Sequence, residues 1–507
     1  MALRSLQLRS SSHFECRTRP SEVELATSNG GRALSDIASD SYGGSTKLIY
    51  AMTIPPAHAN RFVSHFVHLD NIPSIIEHGL LSNSEQVRKG IEHHSIALSA
   101  IQTTRSTMRV TCGPKGVVHD YVPFYFSTVS PMLLSVVNAK NVDQNFLIHL
   151  LLPIQIIQKP TVVFSDASAN REAGVPRFFE NPTELNRLDW DQIDSRKWTS
   201  SSEDAKHRRM AEVLVHKSVP WSEIPRIVVW NDGIKEFVEE ECAKQNAIIP
   251  QINFDDKYNS RYFDRFMFGE KGKSLVTGPY WTERFCKEAI RRIVTSERDN
   301  KQRTFKKLTQ LRDAIRADFA AIDELKELIE LFTTDNLHRE DLATHTQQVV
   351  SKLKTLPEYK SLGPKYQKVV ELAAYFHDIG KGPKSRWEDK GGRYKPDPDH
   401  PVAALPMLER IITEEVEEPA PDEIRLLCKL VCYHDLIGDI LGKGRKEEQL
   451  FELIQDEIEL NALIALSKAD VLVVHPAWWD ASKVTTLIAR AVNYLKTRAP
   501  QTPWEDE

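Results

Sequence analysis

Two groups of residues have types and spacings that can do chemistry. The first is an ordered set in the later part of the chain: His345, His377-Asp378, His400, His434 and Asp470, each on or beside a segment that reads as helical. A His-Asp dipeptide alone says little, since it occurs three times, at His119, His377 and His434. The whole set says more. Imidazoles and carboxylates without thiolates suit Mn, Fe, Mg, Co or Ni better than a structural zinc. The second group centres on Glu212, at the head of the apolar run Val213-Leu214-Val215. A carboxylate there is costly unless it opens into a cleft or is paired.

The elements that must position these residues differ between the two halves. Ahead of Glu212 lies the run Gly116 to Leu133, aromatic and carrying Pro123 and Pro131. Proline lacks the N–H and biases the residue before it to extended geometry, so this run reads as a buried strand with Tyr121, Phe124, Tyr125 and Phe126 in the core or in a pocket wall. Further upstream, Ser64 to Ile76 reads as a short strand joined to a helix, with Asp70 or Asn71 as its cap, Pro73 in its first turn and Gly79 at its stop. Such a junction leaves free N–H groups for an amide or phosphate; the plainer reading is an ordinary strand-turn-helix with a surface histidine. Strand-length apolar runs follow at 147–152, 161–164, 224–230 and 250–254. Lys206-His207-Arg208-Arg209 is either a solvated face or, beside the loop carrying Trp190 and Trp198, a contact for a phosphate backbone with an aromatic stacked on a base. From Arg284 to Phe332 apolar residues recur three or four apart, which predicts a helical connector or the first helices of a second domain.

At 507 residues the chain is too long for one ordinary core, and two or three domains are expected. A hydrophobic content of 41% with 27% charged residues is that of a globular protein. No apolar run is long enough to span a bilayer, so no membrane partner is expected. The net charge of −5 argues against wholesale coating of nucleic acid while leaving room for a local basic groove. Six scattered cysteines with no CxxC pair point to reduced thiols in a cytoplasm and argue against a zinc ribbon. Residues 1–51, rich in Ser, Arg and Gly, predict a disordered tail with a faint transit-peptide look, or else translation from Met52.

The string from Gly116 to Leu133 resembles the signature of the DarT family, which transfers ADP-ribose from NAD to bases of single-stranded DNA. The resemblance extends over roughly Thr53 to Asn259. It implies an α+β ADP-ribosyltransferase-like domain with Arg105 and Glu212 as catalytic residues, and with His65, Phe66, Val67, Leu81 and Arg105 binding NAD. Arg105 follows an isoleucine as the family's catalytic arginine does. The family reading makes it a proton acceptor, whereas guanidinium chemistry favours clamping a phosphate or base and relaying a proton. The match of Glu212 is the glutamate of the transferase signature, which faces an oxocarbenium-like ribose as in glycoside hydrolysis. Three positions depart from the family: Ser64 replaces Tyr, Val67 replaces Thr and Ser168 replaces His.

The second set resembles the HD superfamily of metal-dependent phosphohydrolases. The resemblance implies an all-α domain in which His345, His377, Asp378 and Asp470 hold one divalent metal. His400 and His434 would add a second, with Asp378 bridging and Lys381 gripping a phosphate. A nucleotide or phosphoester would be its substrate; the alternative is a degenerate domain serving as scaffold or sensor. The expected organisation is a tail over 1–51, the transferase domain over 52–259, a helical connector over 260–332, the HD domain over 333–495 and a tail over 496–507. NAD, single-stranded DNA and, by family resemblance, an antitoxin are the expected partners. Two rival readings are an HD hydrolase whose first domain only binds nucleotide or DNA, and a non-catalytic regulatory protein.

Overall fold

The computed structural model describes residues 53–96, 99–170, 174, 176–255, 261–263, 275–296, 302–334, 340–394 and 396–498. The expected tail over 1–51, the alternative start at Met52 and the boundary at Asn259 lie outside them. No helix among the described residues is long and apolar enough to cross a membrane.

The first half carries strands β1 (Phe62–His68), β2 (Leu80–Leu81), β3 (Tyr121–Tyr125), β4 (Leu147–Pro153), β5 (Val162–Ser165), β6 (Phe178–Phe179), β7 (Glu212–His216), β8 (Ser218–Val219), β9 (Arg226–Val229) and β10 (Gln251–Phe254). Eight of them form one sheet in the order β10-β9-β4-β1-β3-β7-β5-β6. β4 is buried at all but its last residue, as a strand covered on both faces must be. It pairs with β1 along the full strand, Phe62 to His68 against Pro153 to Leu147.

On its other side β1 meets β3 at a single register pair, Ser64 with Tyr125, and the two strands then part. Pro123 explains the parting. Its carbonyl accepts a hydrogen bond from His65 Nδ1 at 2.6 Å. A residue in a strand turns its nitrogen to the same side as its carbonyl, so the nitrogen facing β1 is one that has no hydrogen to give. The ladder stops there, and the His65 ring enters the gap. β3 keeps its complete ladder with β7, from Tyr121–His216 to Tyr125–Glu212.

Three helices flank this gap: α1 (Ile72–His78), α2 (Ser99–Thr107) and α3 (Pro131–Asn138). Two predicted features of α1 are present, Pro73 in its first turn and Gly79 after its end at φ +80°, where a Cβ would lie 2.9 Å from the Val219 carbonyl oxygen; the predicted side-chain cap is not, because Asn71 has helical backbone and its amide bonds to the His94 backbone. Ser130 caps α3 by accepting from the Leu133 N–H at 3.4 Å. A fourth helix, α4 (Glu203–Arg209), leads into β7.

The second half is helical. Its framework is α5 (Pro279–Thr295), α6 (Leu342–Leu353), α7 (Pro364–Phe376), α8 (His400–Arg410), α9 (Pro421–Tyr433), α10 (Leu436–Gly442) and α11 (Glu457–Val474). Cys286, Ala289, Ile290 and Ile293 of α5, and Leu308, Leu311 and Ile315 of the helix Leu308–Ala317, belong to the same buried core as α7, α9 and α11. The apolar stripes of these two helices are filled by that core.

Candidate functional site

The parting of β1 and β3 opens a cavity of about 320 Å³. His65, Phe66, Val67, Leu81 and Arg105 all line it, together with Tyr125, read from sequence as core or pocket wall, and Met132, which lies outside the sequence-derived set. Past the Ser64–Tyr125 pair, β1 has no ladder partner on this side among the described strands, which leaves its edge to the cavity. Burial lowers the pKa of His65 to about 4, so at neutral pH the ring is uncharged. A carbonyl can only accept, so Nδ1 carries the hydrogen and Nε2 keeps a lone pair.

Glu212 lies behind the lining at 0% exposure. Both its oxygens accept from Arg105, Nη1 to Oε1 and Nη2 to Oε2, each at 2.9 Å. The Ala169 N–H adds a bond to Oε1 at 3.2 Å, and the Glu212 N–H rests on Ser165 Oγ at 3.2 Å. An acid at the head of an apolar strand therefore has its partner in the arginine, and the arginine reaches the cavity. Burial opposes the charge on Arg105, but the Glu212 carboxylate outweighs it and raises the pKa. Ser64 is buried at the parting point, while Ser168 and Val67 face the cavity. Beside the mouth, His68 and His94 stack with ring centres 3.9 Å apart, and both approach Asp70 Oδ2, at 3.3 and 3.5 Å.

The basic run on α4 is not a free face. His207 and Arg209 are buried, the first near the Gly174 carbonyl at 2.9 Å and the second donating to the Ser195 carbonyl at 2.7 Å. Arg208 pairs with Asp189 and Asp204, and Lys206 lines the cavity. The tryptophans are structural too. Trp190 stacks on His58 at 4.2 Å under the Arg61 guanidinium, and Trp198 packs edge-on against Phe263. A helix turns successive residues to different sides, so four bases in a row cannot share one face.

In the helical half, all six ligand candidates converge. His377 and His434 cap the C-terminal ends of α7 and α9, and His400 begins α8. The Nδ1 atoms of His377, His400 and His434 face backbone carbonyls of Ala374, Asp397 and Val431 at 2.8, 2.6 and 2.8 Å. Each Nδ1 is thus the donor, and each Nε2 turns inward. His400 Nε2 and His434 Nε2 stand 3.1 Å apart, a spacing that suits a shared proton or a shared cation. Asp378 Oδ1 is 3.2 Å from His400 Nε2, and Asp470 Oδ1 is 3.1 Å from His345 Nε2. His377 Nε2 and Asp378 Oδ1 are buried without a hydrogen bond. Burial would depress the His377 pKa, but the Asp378 and Asp470 carboxylates overcome it and push the value up to about 9. A donor set this rich in lone pairs and negative charge fits divalent cations.

Lys381, expected to grip a phosphate, donates to Asp378 Oδ2 at 2.7 Å. Asp435, absent from the sequence-derived set, adds a carboxylate 3.4 Å from His434 Nε2. Its position directly after His434 is a signal the dipeptide carried. Gly380 makes the convergence possible: a Cβ there would lie 1.9 Å from the His400 carbonyl oxygen and 2.7 Å from the Ala404 nitrogen.

A split sheet over a buried arginine–glutamate pair, followed by a helical histidine–aspartate centre, is the architecture of a transferase joined to a metal-dependent domain. Comparison with known proteins agrees. The family described as "ssDNA thymidine ADP-ribosyltransferase, DarT" matches residues 64–263, and the HD domain matches 342–472. A DNA ADP-ribosyl transferase of Thermus sp. (strain 2.9) is 33% identical over 180 residues, covering 35% of this chain and 84% of that protein. One from Thermus aquaticus is 30% identical over 185 residues, covering 36% and 81%. The solved structure of Thermus sp. 2.9 DarT in complex with NAD+ is 28% identical, covers 41% of this chain and all of that one, and has a TM-score of 0.35. The chain belongs to the DarT family of ADP-ribosyltransferases and carries an HD domain after its transferase domain.

Proposed function

We propose that this protein breaks the nicotinamide–ribose bond of NAD and transfers the ADP-ribose to a thymine base in single-stranded DNA. The observation that carries this reading is the bidentate Arg105–Glu212 pair at the wall of the cavity opened by Pro123. The matched family's description and the Thermus relatives' names supply the acceptor class. The unpaired edge of β1 at His65–Val67 offers backbone groups to the nicotinamide carboxamide, and the His65 ring shapes that end of the cleft. As the C1′–N bond breaks, its electron pair returns to the nicotinamide ring, which leaves neutral, and positive charge develops on the ribose. Glu212, held by Arg105 and the Ala169 N–H just behind the lining, would supply the carboxylate that favours that charge. The ring nitrogen of thymine that still carries a hydrogen then bonds to C1′. Its proton passes to the pair, with Arg105 relaying and Glu212 receiving. Arg105 is too firmly protonated to act as the base alone.

The HD half is read as a two-metal phosphohydrolase. His345, His377, Asp378 and Asp470 would hold one cation and His400 and His434 the other, with Asp378 between them. Such cations activate a water and stabilise charge on a phosphoryl group. The chain's own contribution is orientation: three backbone carbonyls fix the imidazole tautomers, and Lys381 steadies Asp378. The substrate is a phosphoester or phosphoanhydride, and such an activity suits trimming an ADP-ribose product, degrading a nucleotide or regulating the first domain.

The test is incubation with NAD and mixed single-stranded oligonucleotides, read by mass spectrometry, for wild type, Glu212→Ala and the double variant His377→Ala/Asp378→Ala. ADP-ribose added to DNA by wild type and lost in Glu212→Ala supports the transferase, and the HD variant reports whether the mark is later processed. Unmodified DNA in every lane refutes it.

A further inference from the structure

One buried charge belongs to neither site as described above. Lys140 follows α3, the helix whose Pro131, Met132, Ser135 and Val136 line the transferase cavity. Its backbone is left-handed, with φ +51°. Glycine or asparagine is the usual occupant where a helix ends this way, and a lysine there bears strain that its side chain must offset. That side chain is buried, at 5% exposure for the residue, and it crosses to the other domain, where Nζ donates to the Pro398 carbonyl.

Pro398 lies in the turn that presents His400. The turn's other ties come from several directions: Asp397 Oδ2 pairs with Arg386, the Asp397 carbonyl accepts from His400 Nδ1 at 2.6 Å, and Asp399 Oδ1 accepts from the Thr277 N–H at 3.1 Å. The Lys140 charge also faces the carboxylates of Asp399, Asp435 and Asp439 and the Arg445 guanidinium. Adjacent contacts lock the same joint. Asn141 Nδ2 donates to the Gly444 carbonyl at 2.8 Å, Asn141 Oδ1 accepts from the Lys446 N–H at 2.7 Å, and Gln449 Nε2 donates to the Lys140 carbonyl at 3.0 Å.

We propose that Lys140 of the transferase domain is a positioning residue for the HD centre, holding the Pro398–His400 turn so that His400 and His434 can share a divalent cation. This rests on the metal-binding reading of the HD half given above. Lys140 commits its Nζ to the Pro398 carbonyl, and it acts through the turn that carries His400.

The test is Mn2+ binding to the metal-stripped full-length protein, followed by electron paramagnetic resonance, for wild type, Lys140→Met, Lys140→Gln and Lys140→Arg. Two cations per wild-type chain are expected. Lys140→Met should weaken one of them by about 10- to 100-fold, the range for groups that orient a ligand from behind. The other cation should bind as before. Lys140→Arg, which keeps a charged donor, should stay near wild type. Lys140→Gln keeps a donor without the charge and serves if the methionine variant does not fold; weakening in it as well supports the proposal. Unchanged binding in the folded neutral variants overturns the positioning role. So does tighter binding, since it would make the lysine only a charge repelling the metal. Wild type that binds no Mn2+ overturns the metal reading itself, which separates the two failures.

Discussion

Replacing Glu212 by glutamine tests the transferase site most directly. The substitution preserves shape and leaves the Arg105 guanidinium, 8% exposed at its side chain, without its counter-ion. Breaking a buried pair by removing one charge costs roughly 3–5 kcal/mol. For a domain of this size each kcal/mol moves the midpoint by about 2–4 °C, so the transferase transition should fall by roughly 6–20 °C while the HD transition stays in place. Activity should fall further than stability accounts for. Losing a charge preorganised against the transition state costs on the order of 10²–10³ in rate, measured well below the new midpoint. Scanning calorimetry reads the first effect, and mass spectrometry of NAD-treated oligonucleotides reads the second. Adding Arg105→Met to Glu212→Gln should recover part of the lost stability, because no buried charge is then orphaned, but none of the activity. Transfer within a few-fold of wild type in Glu212→Gln would refute the catalytic reading. An unmoved midpoint would refute the energetics of the pair.

Three further outcomes are expected. The folded pKa of His65, about 4, lies below the ordinary histidine value of 6.5, so the unfolded chain takes up the proton first. Its contribution to stability is complete above 6.5 and is lost as pH falls toward 4; the acid-side drop in the transferase midpoint should be shallower in His65→Gln. Saturating Mn2+ should raise the HD transition by the linkage amount, about 2.7 kcal/mol at a metal concentration 100 times Kd, and His377→Ala should abolish the rise. Gly380→Ala should cost about 1–3 kcal/mol or more, because its Cβ meets the His400 carbonyl oxygen and α8 must move away. Loss of one Mn2+ per chain from that variant would show the displacement, and full occupancy with an unchanged midpoint would rule it out.

Much of this was legible from residue type and local spacing. Pro123 and a run of aromatics marked β3, and Gly79 marked the end of α1, since both follow from the backbone of a few residues; the strand read over Gly116 to Leu133 is confined to Tyr121–Tyr125, because Pro131 suits the first turn of a helix and opens α3. The cost of a carboxylate before Val213 required a cleft or a partner for Glu212. The order of histidines and aspartates pointed to a metal-type donor set because ligand chemistry depends on the side chain alone. Reading Lys206 to Arg209 as one basic surface failed because consecutive residues on a helix point in different directions.

What only the tertiary structure decided is which distant groups meet. Arg105 of α2 and Glu212 of β7 are 107 residues apart in sequence, and their meeting needs both the docking of α2 on the sheet and one β3–β7 register; a slip of a single residue would turn Glu212 to the opposite face of the sheet. Lys140 crosses 258 residues of sequence to Pro398 through the packing of whole helices. Local patterns set by 2.0- and 3.6-residue periods determine which residues are buried and which elements form. Partners across a hundred residues depend on how the finished elements pack, and no local period encodes that.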